Sequence, residues 1–183
     1  EVIECIEYLT TKKRDPRLET ITNDLASSLL MMIKKISKEE ALDQINVVLN
    51  NGLAAEKFEK MVHALGGSAY FLSTYKHEMY SDLYSEEIFF NRSGWIKEIN
   101  TRKLGLLLIE LGAGRKNVDD KINYHAGYSE IIGVGEKFDE KINNLKVFSI
   151  NKDAFNKVKD EIINCFIFSD NEIKQSKTIY KII

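Results

Sequence analysis

Residues 100–128 read NTRKLGLLLIELGAGRKNVDDKINYHAGY, and their order decides the fold class. Thr101 is read as the cap of a leucine-rich helix running to about Leu111. The Gly112-Ala113-Gly114-Arg115 turn closes that helix, because glycine tolerates the left-handed conformation that ends helices. A short polar segment with the paired aspartates Asp119 and Asp120 follows. A new strand then starts near Tyr128. Helix, glycine stop, polar link and strand in immediate succession put both kinds of element into one short stretch.

Upstream of this stretch the periodicity is helical. Val2, Ile6 and Leu9 recur at helical spacing. Asp15-Pro16 breaks the chain, and the next helix is expected to place Ile21, Leu25, Leu29 and Met32 on one face. Ser37 and Glu40 form a capping box that opens a helix carrying Ala41, Ile45, Val48 and Leu49. Asn50-Asn51-Gly52 ends it. Ala55, Phe58, Met61, Val62 and Leu65 line a further helix, which stops at Gly66-Gly67. After about residue 78 the period changes. Ile88-Phe89-Phe90 reads as a strand, Arg92-Ser93-Gly94 as a turn, and Trp95-Ile96 with Ile99 as the return strand. Strands are also expected at 128–132, 147–150 and 178–182. A helix over about 152–166 has Phe155, Val158, Ile162 and Cys165 on one side. The fold class is therefore α+β: a helical segment over 1–75, then a small domain over 76–183 with a mainly antiparallel sheet.

Bulk composition narrows the function. The chain has 183 residues, 44% hydrophobic, enough to bury a core. Its 26 basic and 28 acidic residues leave a net charge of −2, which suggests neither nucleic acid nor an anionic membrane as a partner. No apolar run approaches the roughly 20 residues of a membrane span. Cys5 and Cys165 stand far apart with no CxxC spacing, the usage of a reducing cytoplasm. The opening EVIECIEYL is an amphipathic helix without an initiator Met, which leads us to expect a fragment.

The residues themselves offer no active site. The GAGRK turn at 112–116 could cradle a phosphate through its amides. It follows a helix, however, so the dipole end it meets is the negative one, and helix termination is the better reading. Gly133-Val134-Gly135 lacks a P-loop lysine and reads as a hairpin turn. His63, His77 and His125 show no metal-ligand spacing. Both cysteines are expected to be buried and inert. Lys12-Lys13-Arg14 reads as a solvated corner, and Glu39, Glu40, Glu56 and Glu59 as helix surface. Trp95, Phe89 and Phe90 could stack a base, but a small sheet needs them for its core. No catalytic and no cofactor-binding residue is assigned.

Several spaced motifs resemble the thymidine and pyrimidine-nucleoside phosphorylase family. Thr101-Arg102-Lys103-Leu104-Gly105, Leu111-Gly112-Ala113-Gly114-Arg115-Lys116 and Asp120-Lys121-Ile122-Asn123 fill the places of that family's D-x-R-x-(I/L)-G, (M/L)-G-(G/A)-G-R-(R/K) and D-x-I-(D/N) motifs. Glu1 to Leu9 resembles its E-V-x-E-A-(I/V)-x-x-L helix, and Arg14 to Leu18 the turn after it. Leu49 to Phe58 resembles L-x-(D/N)-G-x-A-x-x-x-F, and Met61 to Gly67 resembles M-V-x-x-x-G-G. The likeness runs along essentially the whole chain.

The resemblance implies an enzyme that cleaves a pyrimidine deoxynucleoside with inorganic phosphate, as a homodimer when intact. It also implies that residues 1–75 are the end of the family's helical and α/β parts and that 76–183 are its C-terminal domain. The family's K-H-S-T-G-G-x-G-D phosphate loop, its second glycine-rich signature and its pyrimidine-holding Arg, Ser and Lys do not occur in the sequence. The expectation is a C-terminal portion, inactive alone. The alternatives are one half of a split enzyme with an N-terminal partner chain, or a non-enzymatic remnant. In some relatives a potassium ion is held by backbone carbonyls and the second glutamate of E-V-x-E, which corresponds to Glu4. No other cofactor is implied. Gly133 to Phe138 also resembles a turn of biotinyl and lipoyl carrier domains, but no lysine stands where those carriers are modified.

Overall fold

Helix boundaries follow side-chain chemistry at each end. α1 (Val2–Thr10) buries Ile6 and Tyr8. Asp15 then caps α2 (Pro16–Lys34) by accepting the Leu18 N–H across 2.8 Å, with Pro16 at the first helical position. Ser37 and Glu40 make a reciprocal capping box at the head of α3 (Lys38–Asn50), as the sequence predicts. Gly52, at φ +86°, separates α3 from α4 (Leu53–Ala64). The last helix of this series, α5 (Phe71–Met79), is not expected from the sequence. It is anchored by Glu59, which accepts the Leu72 N–H across 2.9 Å, so this carboxylate does more than decorate a surface.

The computed structural model describes residues 1–12, 14–79, 84–142, 145–175 and 177, in a helical unit over 1–79 and an α+β unit over 84–175. The strand expected at 178–182 and Lys13 lie outside the described residues.

In the helical unit, Tyr8, Ile45 and Leu49 are buried, and Leu9, Leu18, Ala26, Leu30, Leu42 and Ala54 pack around them. The face expected for α2 is not the one that packs. Leu18, Ala26 and Leu30 meet the cluster, and Ser27 is buried beside them, whereas Leu25, Leu29 and Met32 are exposed. α2 is apolar on more than one side, and only one side can meet α3. Arg14 also departs from the solvated corner. Its Nε donates to the Tyr8 carbonyl across 2.9 Å and its guanidinium lies 5.5 Å from the Tyr8 ring centre, which locks the end of α1.

In the α+β unit the strands are β1 (Tyr84–Ile88), β2 (Gly94–Ile99), β3 (Gly127–Ser129), β4 (Lys137–Phe138), β5 (Leu145–Ser149) and β6 (Phe166–Ser169). Among the described residues two three-stranded sheets form, in the orders β1-β5-β3 and β4-β2-β6, and every pairing there is antiparallel. β1 and β2 are therefore not a hairpin. Phe90 is buried and packs against Phe138, Phe166 and Phe168, with ring centres 4.8–5.4 Å apart. That anchor turns the chain from one sheet into the other, and Asn91 completes the corner at φ +52°. The Gly133–Glu136 turn is present, closed by the Glu136 N–H on the Gly133 carbonyl. It leads from one sheet to the other and is no hairpin either.

Two helices complete this unit: α6 (Thr101–Glu110) and α7 (Lys152–Ile163). Asn100, not Thr101, is the cap of α6, accepting the Lys103 N–H across 3.0 Å. Phe155, Val158 and Ile162 are buried as expected. Cys165 is buried too, but beyond the helix, where its carbonyl accepts the Asn100 N–H and the chain enters β6. Leu104, Leu107 and Leu111 meet these residues together with Ile88, Ile96, Leu145 and Val147, so one core joins both helices and both sheets.

Candidate functional site

The glycine turn after α6 is fully engaged by its own helix. The Gly112 N–H donates to the Ile109 carbonyl across 3.1 Å, and the Ala113 N–H to the Leu108 carbonyl across 2.9 Å. These are the two bonds of a Schellman ending, made with Gly112 at φ +100°. A Cβ on Gly112 would meet Ile150 Cγ2 at 2.3 Å, so both conformation and space require glycine. Asn123 and Ile150 donate to the Gly112 and Leu111 carbonyls and fix the turn from outside. Helix termination is thus what this motif does.

The amides just beyond the turn are taken as well. Asp120 Oδ2 accepts the N–H groups of Lys116 and Asn117, each across 2.9 Å. Those two bonds, Asn117 first, hold the Asp120 carboxyl below its ordinary range. A carboxylate of the chain thus occupies the position an external anion would need. The signal for this was in the sequence: Asp in a turn readily accepts nearby backbone N–H groups. Lys116 Nζ pairs with Glu110 at 2.6 Å, and Arg115 is exposed.

A shallow depression of about 560 Å³ beside β1 and α7 gathers Glu86, Glu87, Phe89, Lys146 and Lys159. The Tyr84 hydroxyl donates to Glu86, and Lys159 Nζ lies 3.4 Å from it. The Tyr84 bond, with Lys159 adding to it, lowers the Glu86 pKa, while the same bond raises the Tyr84 pKa. Glu86 is therefore a paired carboxylate and Tyr84 a neutral phenol at neutral pH, which leaves this cluster without a group poised to take or give a proton.

The remaining candidates do not converge. Glu4 is exposed in the first turn of α1, where a carboxylate complements the helix dipole and a cation does not. Among the described residues no group of three or more His, Cys, Asp or Glu could hold a metal ion. One carboxylate is by itself no site for a hard cation. His63 and His77 are exposed, and His63 Nδ1 lies 3.2 Å from the Gly67 carbonyl oxygen. Cys165 is buried, and burial pushes its thiol pKa up, but Cys5 is exposed, against the expectation for both. Tyr128 is pushed upward by burial, and its hydroxyl meets the Leu104 carbonyl at 3.2 Å. Phe90 is in the core, whereas Phe89 and Trp95 stay partly open.

Residues 95–169 match the family model for the pyrimidine nucleoside phosphorylase C-terminal domain. This chain carries that family's C-terminal domain. The matched span runs from β2 through β6, so the phosphorylase domain includes the whole Schellman turn and its Asp120 loop. The likeness extends further in sequence. A thymidine phosphorylase of Colwellia psychrerythraea is 31% identical over 181 residues, which is 98% of this chain and 41% of that protein. The chain thus spans about two fifths of the length of the relative it matches. Among the described residues no helix is long and apolar enough to cross a membrane.

Proposed function

We propose that this chain is the C-terminal portion of a thymidine or pyrimidine-nucleoside phosphorylase, supplying a domain that closes over the substrate cleft rather than the groups that react. In the intact enzyme a phosphate oxygen would bond to the anomeric carbon as the glycosidic C–N bond breaks. The bonding pair leaves with the base, which takes up a proton, and 2-deoxyribose 1-phosphate remains. Such a displacement needs phosphate held on one face of the sugar and a stabilised leaving base on the other. The observation that carries a supporting role is the engagement of the 112–117 loop: its helix-ending amides go to α6 and the next two to Asp120. A loop closed upon itself is a rigid edge, suited to excluding water from a cleft.

The same reading makes the intact enzyme a homodimer in a reducing cytoplasm, consistent with two free cysteines. On that reading Glu4 would be one oxygen donor to a potassium ion that backbone carbonyls also hold. Exposed apolar side chains in the helical unit favour one variant of the reading, in which a separate N-terminal chain completes the site.

The test is thymine release from thymidine and phosphate. The pure chain is expected to release none, and a mixture with the N-terminal part of the Colwellia psychrerythraea enzyme is expected to release thymine. Phosphate-dependent release by the pure chain would overturn the supporting role. A soluble, inactive mixture would point to a non-enzymatic remnant.

A further inference from the structure

The helical unit leaves one face of its longest helix uncovered. Leu25, Leu29, Met32 and Ile33 of α2 are 65, 56, 78 and 69% exposed. They stand four, seven and eight residues from Leu25, the spacing of a single helical stripe. Single exposed leucines are ordinary on protein surfaces, but an apolar stripe along one helix marks an interaction surface. The other side of α2 is already spent, with Leu18, Ala26 and Leu30 packed on the small cluster of Tyr8, Ile45 and Leu49. The same unit has a second apolar surface. A depression of about 640 Å³ is lined by Leu9, Ala54, Phe58 and Met61, with Lys57 and Lys60.

We infer that the Leu25–Ile33 stripe of α2 is a docking surface for the part of the phosphorylase that lies outside the matched region. The occupant follows from coverage. The match takes in 98% of this chain, α2 included, but only 41% of the relative. In the relative, then, the counterpart of α2 belongs to a polypeptide more than twice as long, and a helix with one apolar side packed inward offers its second to further chain. A membrane surface fits poorly. A helix lying on a bilayer needs a charged face opposite its apolar one, and here the other face is packed against protein. This inference rests on the functional reading above, but its readout is separate.

The experiment mixes the full chain with the N-terminal part of the Colwellia psychrerythraea enzyme and follows complex formation by sedimentation, and thymine release alongside. The wild-type chain is expected to form a one-to-one complex. The double variant Leu29→Glu, Met32→Glu is expected to weaken it at least tenfold without loss of helicity, since both side chains are already in water. The single variant Leu25→Glu gives the same reading if the double variant loses helicity, and Val118→Glu, in the other unit, is expected to bind as wild type. Unchanged affinity in the α2 variants overturns the surface, as does absence of any wild-type complex. Self-association of the wild type that the α2 variants abolish assigns the stripe to a second copy and overturns it too. A complex without turnover sinks the functional reading and leaves the surface standing. Turnover unaffected by the α2 variants does the reverse.

Discussion

Asp120 Oδ2 lies 2.9 Å from the amide nitrogen of Lys116 and accepts a hydrogen bond from its N–H, so a side chain four residues downstream closes the loop that follows the glycine turn. Together with the Asn117 bond this depresses the Asp120 pKa. A depressed carboxylate contributes stability that is fully present above its unfolded value, about 3.9, and is lost as pH falls through its lower folded value. The expected outcome is that exchange of the Lys116 and Asn117 amides, followed by NMR, becomes less protected as pH drops below about 4. Asp120→Ala should abolish that protection already at neutral pH. Equal exchange in both proteins would mean that the carboxylate does not hold the loop.

Gly112 carries a different burden. Its φ is +100°, and a Cβ added there would stand only 2.3 Å from Ile150 Cγ2, which leaves no room for any side chain. Gly112→Ala should cost about 1–3 kcal/mol, read from urea unfolding. Gly105, in the middle of α6, has nothing within 4 Å of such a Cβ. Gly105→Ala should therefore stabilise the chain by about 0.5–1 kcal/mol, through higher helix propensity. If the two substitutions moved stability the same way, backbone conformation would not be what sets these glycines apart.

How far the sequence carried this fold depended on whether the deciding physics was local. The Ser37–Glu40 box, the glycine stop at Gly112 and the Phe155–Val158–Ile162 face of α7 are set by residues a turn or two apart, and each was legible. Strand pairing was not. Ile88-Phe89-Phe90 and Trp95-Ile96 look like the two sides of a hairpin, but the burial of Phe90 sends the chain from one sheet to the other, which is a long-range choice. The packed side of α2 was misread for a related reason: a helix apolar on two sides does not say which neighbour takes which side. The loop chemistry lay between these cases. The glycine motif was visible, and an Asp in the next turn signalled an acceptor for nearby amides, but which N–H groups it takes is set by the folded loop.

The capping box offers a clean local test. Ser37 Oγ accepts the Glu40 N–H across 3.2 Å, and Glu40 returns a bond to the Ser37 N–H at 2.9 Å. Ser37→Ala should cost about 1 kcal/mol, measured by thermal unfolding. The Ser37 bonds, backbone first, also lower the Glu40 pKa. Its contribution is accordingly present above the unfolded glutamate value and fades as pH falls through the folded one. The Ser37→Ala penalty should therefore shrink in acid, and a penalty that grew there would contradict the box.

Phe155 links the core to the charged depression on the surface. Its side chain is fully buried, the Tyr84 ring centre lies 5.6 Å from its own, and Lys159 Nζ stands 5.6 Å over its ring. Tyr84 and Lys159 are in turn the two partners of Glu86. Phe155→Ala should cost about 3–5 kcal/mol, because a cavity opens where the ring was. Phe155→Leu keeps most of the volume and should cost less than half as much. The two variants should also differ at Glu86. Without the ring beneath them, Tyr84 and Lys159 lose the surface that holds them at the carboxylate, so in Phe155→Ala the Glu86 pKa should move back toward its ordinary value. In Phe155→Leu it should move less. NMR titration of Glu86 beside urea unfolding separates the two effects. A large stability loss with the Glu86 pKa unmoved would show that the charged cluster holds together without support from the core.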